Sequence, residues 1–333
     1  MKTLKLDYST ISAWKLCPQK AIYQYINNLK SSGLGGGTSE ALEFGQLIHL
    51  GLELFGKAAL TREQTSSKEA LHQTAEALGS GQAPDAASVE PIDLKILHLL
   101  AAEASKYGIS KLLPDQRRSL AHLLHLMSAY MLHYAGDNLV FIDFEQRSEQ
   151  LLGSLSDGTK LIYGGTLDAL TPDAVFETKT TSYISSGFLD RMNPNDQASG
   201  YAFLSGREKI IFNGISTSGY GKSKDAKTSN PKLWTLFKEP SKLFLRSETR
   251  RSAEQLAEWR TEVFAVAEEI LSYLKTGQLA KRYGSRPDCC TTFNSVCPFV
   301  NLCRANATER ATLQEALFAP GEAWRGFRYE DEA

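Results

Sequence analysis

Glu177 and Lys179 stand two apart in AVFETKTTS, and Asp168 lies near the end of the preceding run, KLIYGGTLDAL. The strand period of two puts Glu177 and Lys179 on one face, and a hairpin through TPDA can bring Asp168 beside them. Two carboxylates and an ammonium would then converge. Hard oxygen ligands of this kind suit Mg2+ or Mn2+, and the lysine could hold or deprotonate a nucleophilic water while offsetting phosphate charge. That is equipment for hydrolysing a phosphodiester. Taken alone, E-x-K describes a solvated strand face with an i,i+2 salt bridge at least as well.

Other residues extend the set. His49, in GQLIHLGLE, lies one helical turn before Glu53 and offers a neutral imidazole as a further metal ligand. His122, His125 and His133 lie along one apolar helix and read as packing residues instead. Gln197 and Tyr201, four apart in NDQASGYAFL, share a helix face from which they could hydrogen-bond a phosphate or a flipped base and stack on it. The plainer alternative is a helix packing its tyrosine against a sheet.

The elements that must carry these residues follow from pattern. After a short extended start, Thr10 or Ser12 can cap a helix through SAWKLCPQKAIYQYINNL, with Trp14, Ile22, Tyr23 and Ile26 as its apolar stripe. SSGLGGGTSE breaks the pattern, and SEALEFGQLIHLGLELFGKAAL resumes it as a second helix. A long apolar helix spans RRSLAHLLHLMSAYMLHYAG. Strand signals then take over in LVFIDFEQRSEQLLG, KLIYGGTLDAL and AVFETKTTS, which read as a three-stranded antiparallel meander. NDQASGYAFLSG reads as a helix, KIIFNGIST as a strand, LWTLFKEPSKLFLRSE as one or two more, and SAEQLAEWRTEVFAVAEEILSYLKTGQ as a long helix. The fold class expected is α/β, a mixed sheet flanked by helices with a helical elaboration. The divisions expected are residues 1–60 (helical, with Cys17 and His49), 61–136 (helical insertion), 137–280 (core), 281–310 (cysteine segment) and 311–333 (tail).

Among the 333 residues, 42% are hydrophobic and 23% charged, and the net charge of -1 gives no global sign of nucleic-acid binding. Any such surface must be local, and Lys222, Lys224 and Lys227 in GYGKSKDAKTSNPK are candidates for a basic loop over a DNA backbone. MKTLKLDYST lacks the apolar core of a secretory signal and no uncharged apolar run approaches the ~20 residues of a membrane span, so a cytoplasmic protein is expected. In a reducing cytosol, clustered cysteines are metal ligands or redox groups more often than disulfides. Four of the five cysteines lie in DCCTTFNSVCPFVNLC, with Cys17 at the other end. Four thiolates suit an iron-sulfur cluster or Zn2+, and spacing does not separate the two.

Taken in order, GxxxH (Gly45 to His49), GGTLD (Asp168), ETK (Glu177, Lys179) and QxxxY (Gln197, Tyr201) resemble the RecB-like branch of the PD-(D/E)XK nuclease superfamily over roughly residues 8 to 305. The resemblance implies that His49, Asp168 and Glu177 hold Mg2+ or Mn2+, that Lys179 is catalytic, and that Gln197 and Tyr201 lie at the DNA. Asp168 is preferred to the Asp173 of Pro172-Asp173, which falls in a turn. It further implies a structural 4Fe-4S cluster, as in CRISPR-associated exonucleases and AddB-type subunits. Its ligands would be Cys17, Cys297, Cys303 and, with Cys289 as the alternative, Cys290; the CxxC usual before the last two is absent here. The activity implied is metal-dependent DNA hydrolysis, as an exonuclease, with a non-catalytic DNA-binding or scaffolding subunit as the alternative. DNA is the partner implied, with a helicase, recombination or CRISPR protein beside it, because the chain has no G-x-x-x-x-G-K-S/T loop of its own. Cleavage polarity and oligomeric state, a homo-oligomer included, stay open.

Overall fold

Leu4 and Leu6, one strand period apart, are fully buried on the inner face of the first strand, β1 (Lys2–Asp7). The computed structural model describes residues 2–32, 40–61, 68–80, 92–112, 116–137, 139–190, 192–217, 242–279, 287–292 and 295–331. Asp7, not Thr10 or Ser12, caps the first helix, α1 (Tyr8–Leu16), by accepting from the Thr10 N–H at 2.8 Å. The helix also stops sooner than its apolar stripe promises. Pro18 forces the preceding Cys17 to extended backbone and restarts the chain as α2 (Pro18–Ala21), followed by a π-helical turn over Ile22–Ile26.

A short strand, β2 (Leu29–Ser31), leads to the helices α3 (Glu40–Thr61), α4 (Lys68–Gly79), α5 (Ile92–Ala104) and α6 (Leu120–His133). Their facing apolar sides, with Phe44, Leu47, Leu97, Leu123 and Met127, make one core that reaches the sheet at Ile215 and Phe244. His122 and His125 are buried there as packing residues, whereas His133 is exposed and lies against the rings of Tyr134 and Phe244.

The sheet is built from β3 (Asp143–Ser154), β4 (Lys160–Leu170), β5 (Ala174–Thr181), β6 (Lys209–Ser216) and β7 (Phe244–Arg250), with β1 inside it. Between β5 and β6 lie α7 (Ser186–Asp190) and α8 (Asp196–Ser205), and after β7 come α9 (Ala253–Thr276), β8 (Thr291–Thr292), β9 (Ser295–Val296), α10 (Val300–Arg304), α11 (Ala307–Leu317), β10 (Phe318–Pro320) and β11 (Arg328–Asp331). The strand order is β11-β1-β4-β5-β6-β7, with β3 paired to β4 as well. β1 with β4 and β5 with β6 are parallel and the remaining pairs antiparallel, so this is a mixed α/β sheet flanked by helices.

The expected meander holds only in part. β3 and β4 pair along their length, but β4 meets β5 only at Ala169 and Leu170, after which β5 diverges to run parallel to β6 as far as Thr181. On the same edge β4 pairs with β1 only up to Gly164. The sheet therefore forks beside Asp168. Over this fork α8 packs closely against β4: a Cβ on Gly200 would lie 2.0 Å from the Tyr163 hydroxyl, so only glycine admits the approach. Tyr163, Trp14, Leu204 and Trp259 then join β1, β4, α1, α8 and α9 in a second core. No helix among the described residues is long and apolar enough to cross a membrane.

Candidate active site

On β5, Val175 and Phe176 are buried on opposite faces of the sheet, and the alternation carries on into Glu177, Thr178 and Lys179. Glu177 and Lys179 face α8. The Lys179 Nζ lies 2.6 Å from Glu177 Oε1 and donates to Gln197 Oε1 at 2.7 Å, while Gln197 Nε2 donates to the Tyr201 hydroxyl at 2.7 Å. The helical spacing of four thus presents Gln197 and Tyr201 together, as one chain of hydrogen bonds from the sheet into α8.

Where the β4–β5 ladder ends, the Asp168 carboxylate replaces it: Oδ2 accepts the Thr178 N–H at 2.8 Å. His49, from the middle of α3, approaches the same oxygen at 3.4 Å through Nδ1, and lies 3.9 Å from Glu145 Oε1. The structure thus brings His49, Asp168, Glu177, Lys179, Gln197 and Tyr201 into one region. Glu53 turns aside to pair with Lys57 at 2.5 Å. Asp173 lies in the turn after β4, exposed and beside Lys209.

Glu145 was not foreseen. It stands on β3 opposite Asp168, between the register pairs Phe144 with Ala169 and Gln146 with Leu167. Asp143, Glu145 and Glu149 are equivalent in sequence until that register is fixed, so only the strand pairing singles one out.

The electrostatics are those of crowded carboxylates. Burial raises the Asp168 carboxyl above its ordinary range, and the charge of Glu177 raises it further against the opposing pull of His49 and the Thr178 N–H. Burial lowers the His49 imidazole, but hydrogen bonding to Glu145 and the charges of Asp168 and Glu177 outweigh it, so its affinity for a proton is raised. For Lys179 burial also acts downward and Glu177 outweighs it, leaving the ammonium more firmly protonated than usual. Among the described residues, Glu177 Oε2 is buried without a hydrogen-bond partner.

A carboxylate oxygen left bare in the interior is costly unless a cation meets it. One ligand atom each from His49, Glu145 and Asp168 lies within 4.8 Å of the other two. This nitrogen and oxygen donor set, beside the bare Glu177 oxygen, fits a divalent cation of the Mg2+ or Mn2+ type.

The cysteines are arranged otherwise. Among the described residues, no three of the five cysteine sulfurs lie within 4.8 Å of one another. Cys289 and Cys290 have sulfurs 3.9 Å apart, and the Cys297 N–H donates to the Cys290 carbonyl. Cys297 and Cys303 pack against a cluster of Tyr23, Phe299, Leu302 and Phe318. The last segment does return to the N-terminal helices, with the Phe299 and Tyr23 rings 5.4 Å apart, but aromatic packing brings it there. The four-cysteine 4Fe-4S site expected of Cys17, Cys290, Cys297 and Cys303 draws no support from these sulfur positions. Lys222, Lys224 and Lys227 lie outside the described residues.

Solved structures match the chain at low similarity. A phage related exonuclease from Haemophilus somnus 129PT is 15% identical, covering 65% of this chain and 97% of its own, with a TM-score of 0.32. LHK-Exo, in complex with dAMP, is 14% identical, covering 69% of this chain and 92% of its own, with a TM-score of 0.26. No curated protein sequence matches the chain. The sequence pattern of the PD-(D/E)XK nuclease superfamily matches residues 5–304, a span that holds β3 to β7 and every residue of the site, and the chain belongs to that superfamily.

Proposed function

We propose that the protein is a divalent-metal-dependent DNA nuclease, acting as an exonuclease of the RecB-like branch. The observation that carries this reading is the bare, buried Glu177 Oε2 beside Asp168, with a protonated Lys179 held between Glu177 and Gln197. His49, Glu145, Asp168 and Glu177 would hold Mg2+ or Mn2+. When bound, such an ion stabilises charge on the transferring phosphoryl group and lowers the pKa of a bound water.

The chain's own groups do the remaining work. Lys179 is the donor in this site rather than its base: its raised proton affinity suits it to orient an attacking water or a phosphate oxygen by donating to it. Gln197 fixes the ammonium and is itself fixed by Tyr201, so the donor is in place before substrate arrives. Asp168 and His49 share an environment in which neutralisation of the carboxylates is favourable.

The test is digestion of end-labelled single- and double-stranded DNA by the anaerobically purified protein in Mn2+, Mg2+ or EDTA, beside Lys179→Ala. Metal-dependent cleavage that the variant loses supports the reading, and the product ladder gives polarity. A protein that binds DNA and Mn2+ but never cleaves is a binding or scaffolding subunit.

A further inference from the structure

The cluster of His49, Glu145 and Asp168 forms one end of a cavity of about 400 Å3 between α3, α6 and the adjoining face of the sheet. Six aromatic side chains contribute to its walls. Phe141 lies 5.2 Å from both Phe144 and Phe176, centroid to centroid, and Tyr134 stands across from them under the Arg246 guanidinium at 3.6 Å. Arg246 is already committed, with its charge paired to Asp137 and a nitrogen donating to the Tyr130 hydroxyl at 3.0 Å. Among the described residues lining the cavity, Arg246 and His49 are the only cationic side chains, and His49 faces the carboxylates.

These facts select the occupant. A phosphate needs uncommitted positive charge, which the cavity does not offer beyond the metal cluster. A neutral nucleobase needs flat apolar faces, and stacking on aromatic rings or on a guanidinium plane is tolerant of which base is present. The volume is at the small end for ligand pockets, with room for about one nucleoside but not for a continuing duplex. We infer that this cavity receives the terminal nucleobase of the strand whose scissile phosphate lies at His49, Asp168 and Glu177. The inference rests on the nuclease reading and deepens it, because a base seated here belongs to a strand end.

The test compares two end-labelled oligonucleotides in Mn2+, one with an ordinary terminal nucleotide and one whose terminal residue is abasic, together with Ala135→Trp. Ala135 is exposed, lines the cavity and follows α6, whereas the cluster residues stand on α3, β3 and β4, so an indole at position 135 is placed to take up cavity space from the opposite element. The wild type is expected to release the ordinary terminal residue about tenfold faster than the abasic one, in keeping with base stacking on aromatics. Ala135→Trp is expected to release both at the same slow rate with unchanged Mn2+ affinity. Equal rates in a wild type that still requires Mn2+ and Lys179 overturn the inference and leave the nuclease reading standing. If the wild type cleaves neither, the nuclease reading falls and calorimetry judges the cavity separately. Deoxyadenosine binding that exceeds deoxyribose binding and is lost in Ala135→Trp supports base recognition, and its absence overturns it.

Discussion

Glu145 and Asp168 stand opposite each other on neighbouring strands, and Glu145 holds a left-handed backbone with φ of 49°. Like charges placed so destabilise a sheet, and a non-glycine residue in that region stores roughly 1–3 kcal/mol of strain. The arrangement makes sense if a cation joins the two. Glu145→Gln is therefore expected to raise the melting temperature of the metal-free protein and to weaken Mn2+ binding by about tenfold or more. Thermal melts with and without Mn2+, with a calorimetric titration, measure both. Unchanged Mn2+ affinity would remove Glu145 from the cation's surroundings.

Lys179 pairs with Glu177 and donates to Gln197, and among the described residues no hydrogen bond or ion pair joins it to His49, Glu145 or Asp168. Its removal should separate chemistry from metal binding. Lys179→Ala is expected to lower single-turnover cleavage by about 10^2–10^3-fold, the usual effect of deleting one preorganised donor, with Mn2+ affinity kept or tightened. Lys179→Arg should not restore the rate, since a planar guanidinium cannot stand where Gln197 Oε1 holds a compact ammonium. A variant that loses Mn2+ binding in parallel with rate would assign Lys179 a structural role instead.

Gly200 sets how closely α8 approaches β4. A methyl group added there would stand 2.0 Å from the Tyr163 hydroxyl, so Gly200→Ala must shift the helix or the ring. The shift should cost about 1–3 kcal/mol, as overpacking of a core does. Because Gln197 rides on the same helix, cleavage should fall as well. Gly206→Ala, at the C-cap of α8 with φ of 68° and open space around it, should lose stability while leaving the rate of the folded protein unchanged. Equal rate losses in the two variants would show that helix stability rather than helix position controls the site.

What could be read in the sequence was whatever had a local signature. Glu177 and Lys179 share a face by strand period, and Gln197 and Tyr201 by helical period, so their pairing needed no knowledge of the fold. Glu145 had none, because its place opposite Asp168 depends on a register between separate strands. The fork beside Asp168 was hidden for a similar reason: the parallel pairing of β5 with β6 joins segments across α7 and α8. At Cys17 two local signals conflicted, the apolar stripe through Trp14 and Ile22 and the presence of Pro18, and backbone sterics prevailed.

The cysteines carry their own test. None belongs to the His49 cluster, so Cys17→Ser is expected to lower stability, as a change at a buried position does, and to leave Mn2+-dependent cleavage per folded molecule in place. Iron and sulfide analysis of anaerobically purified wild type is the companion measurement. About four irons per chain, lost in Cys17→Ser, would establish the four-thiolate cluster that the sulfur positions do not support.

Far from the site, His122 makes stability depend on pH. Burial, then the charges of Arg117, His125 and Arg118, push its pKa down to about 3, and its Nδ1 accepts from the Arg118 N–H at 3.0 Å, a role only the neutral ring can fill. The unfolded chain takes up this proton near pH 6.5, whereas the folded protein refuses it until about pH 3. Through that window the unfolded state binds more protons, so the contribution of His122 is whole above pH 6.5 and is lost progressively as pH falls. Between pH 6.5 and 4.5 the loss should be about 2 kcal/mol, from the slope of one proton per pH unit. Urea midpoints across that range measure it, beside His122→Asn, whose side-chain oxygen can still accept from Arg118 but does not titrate. A variant with the same pH slope as the wild type would assign the acid sensitivity to other groups.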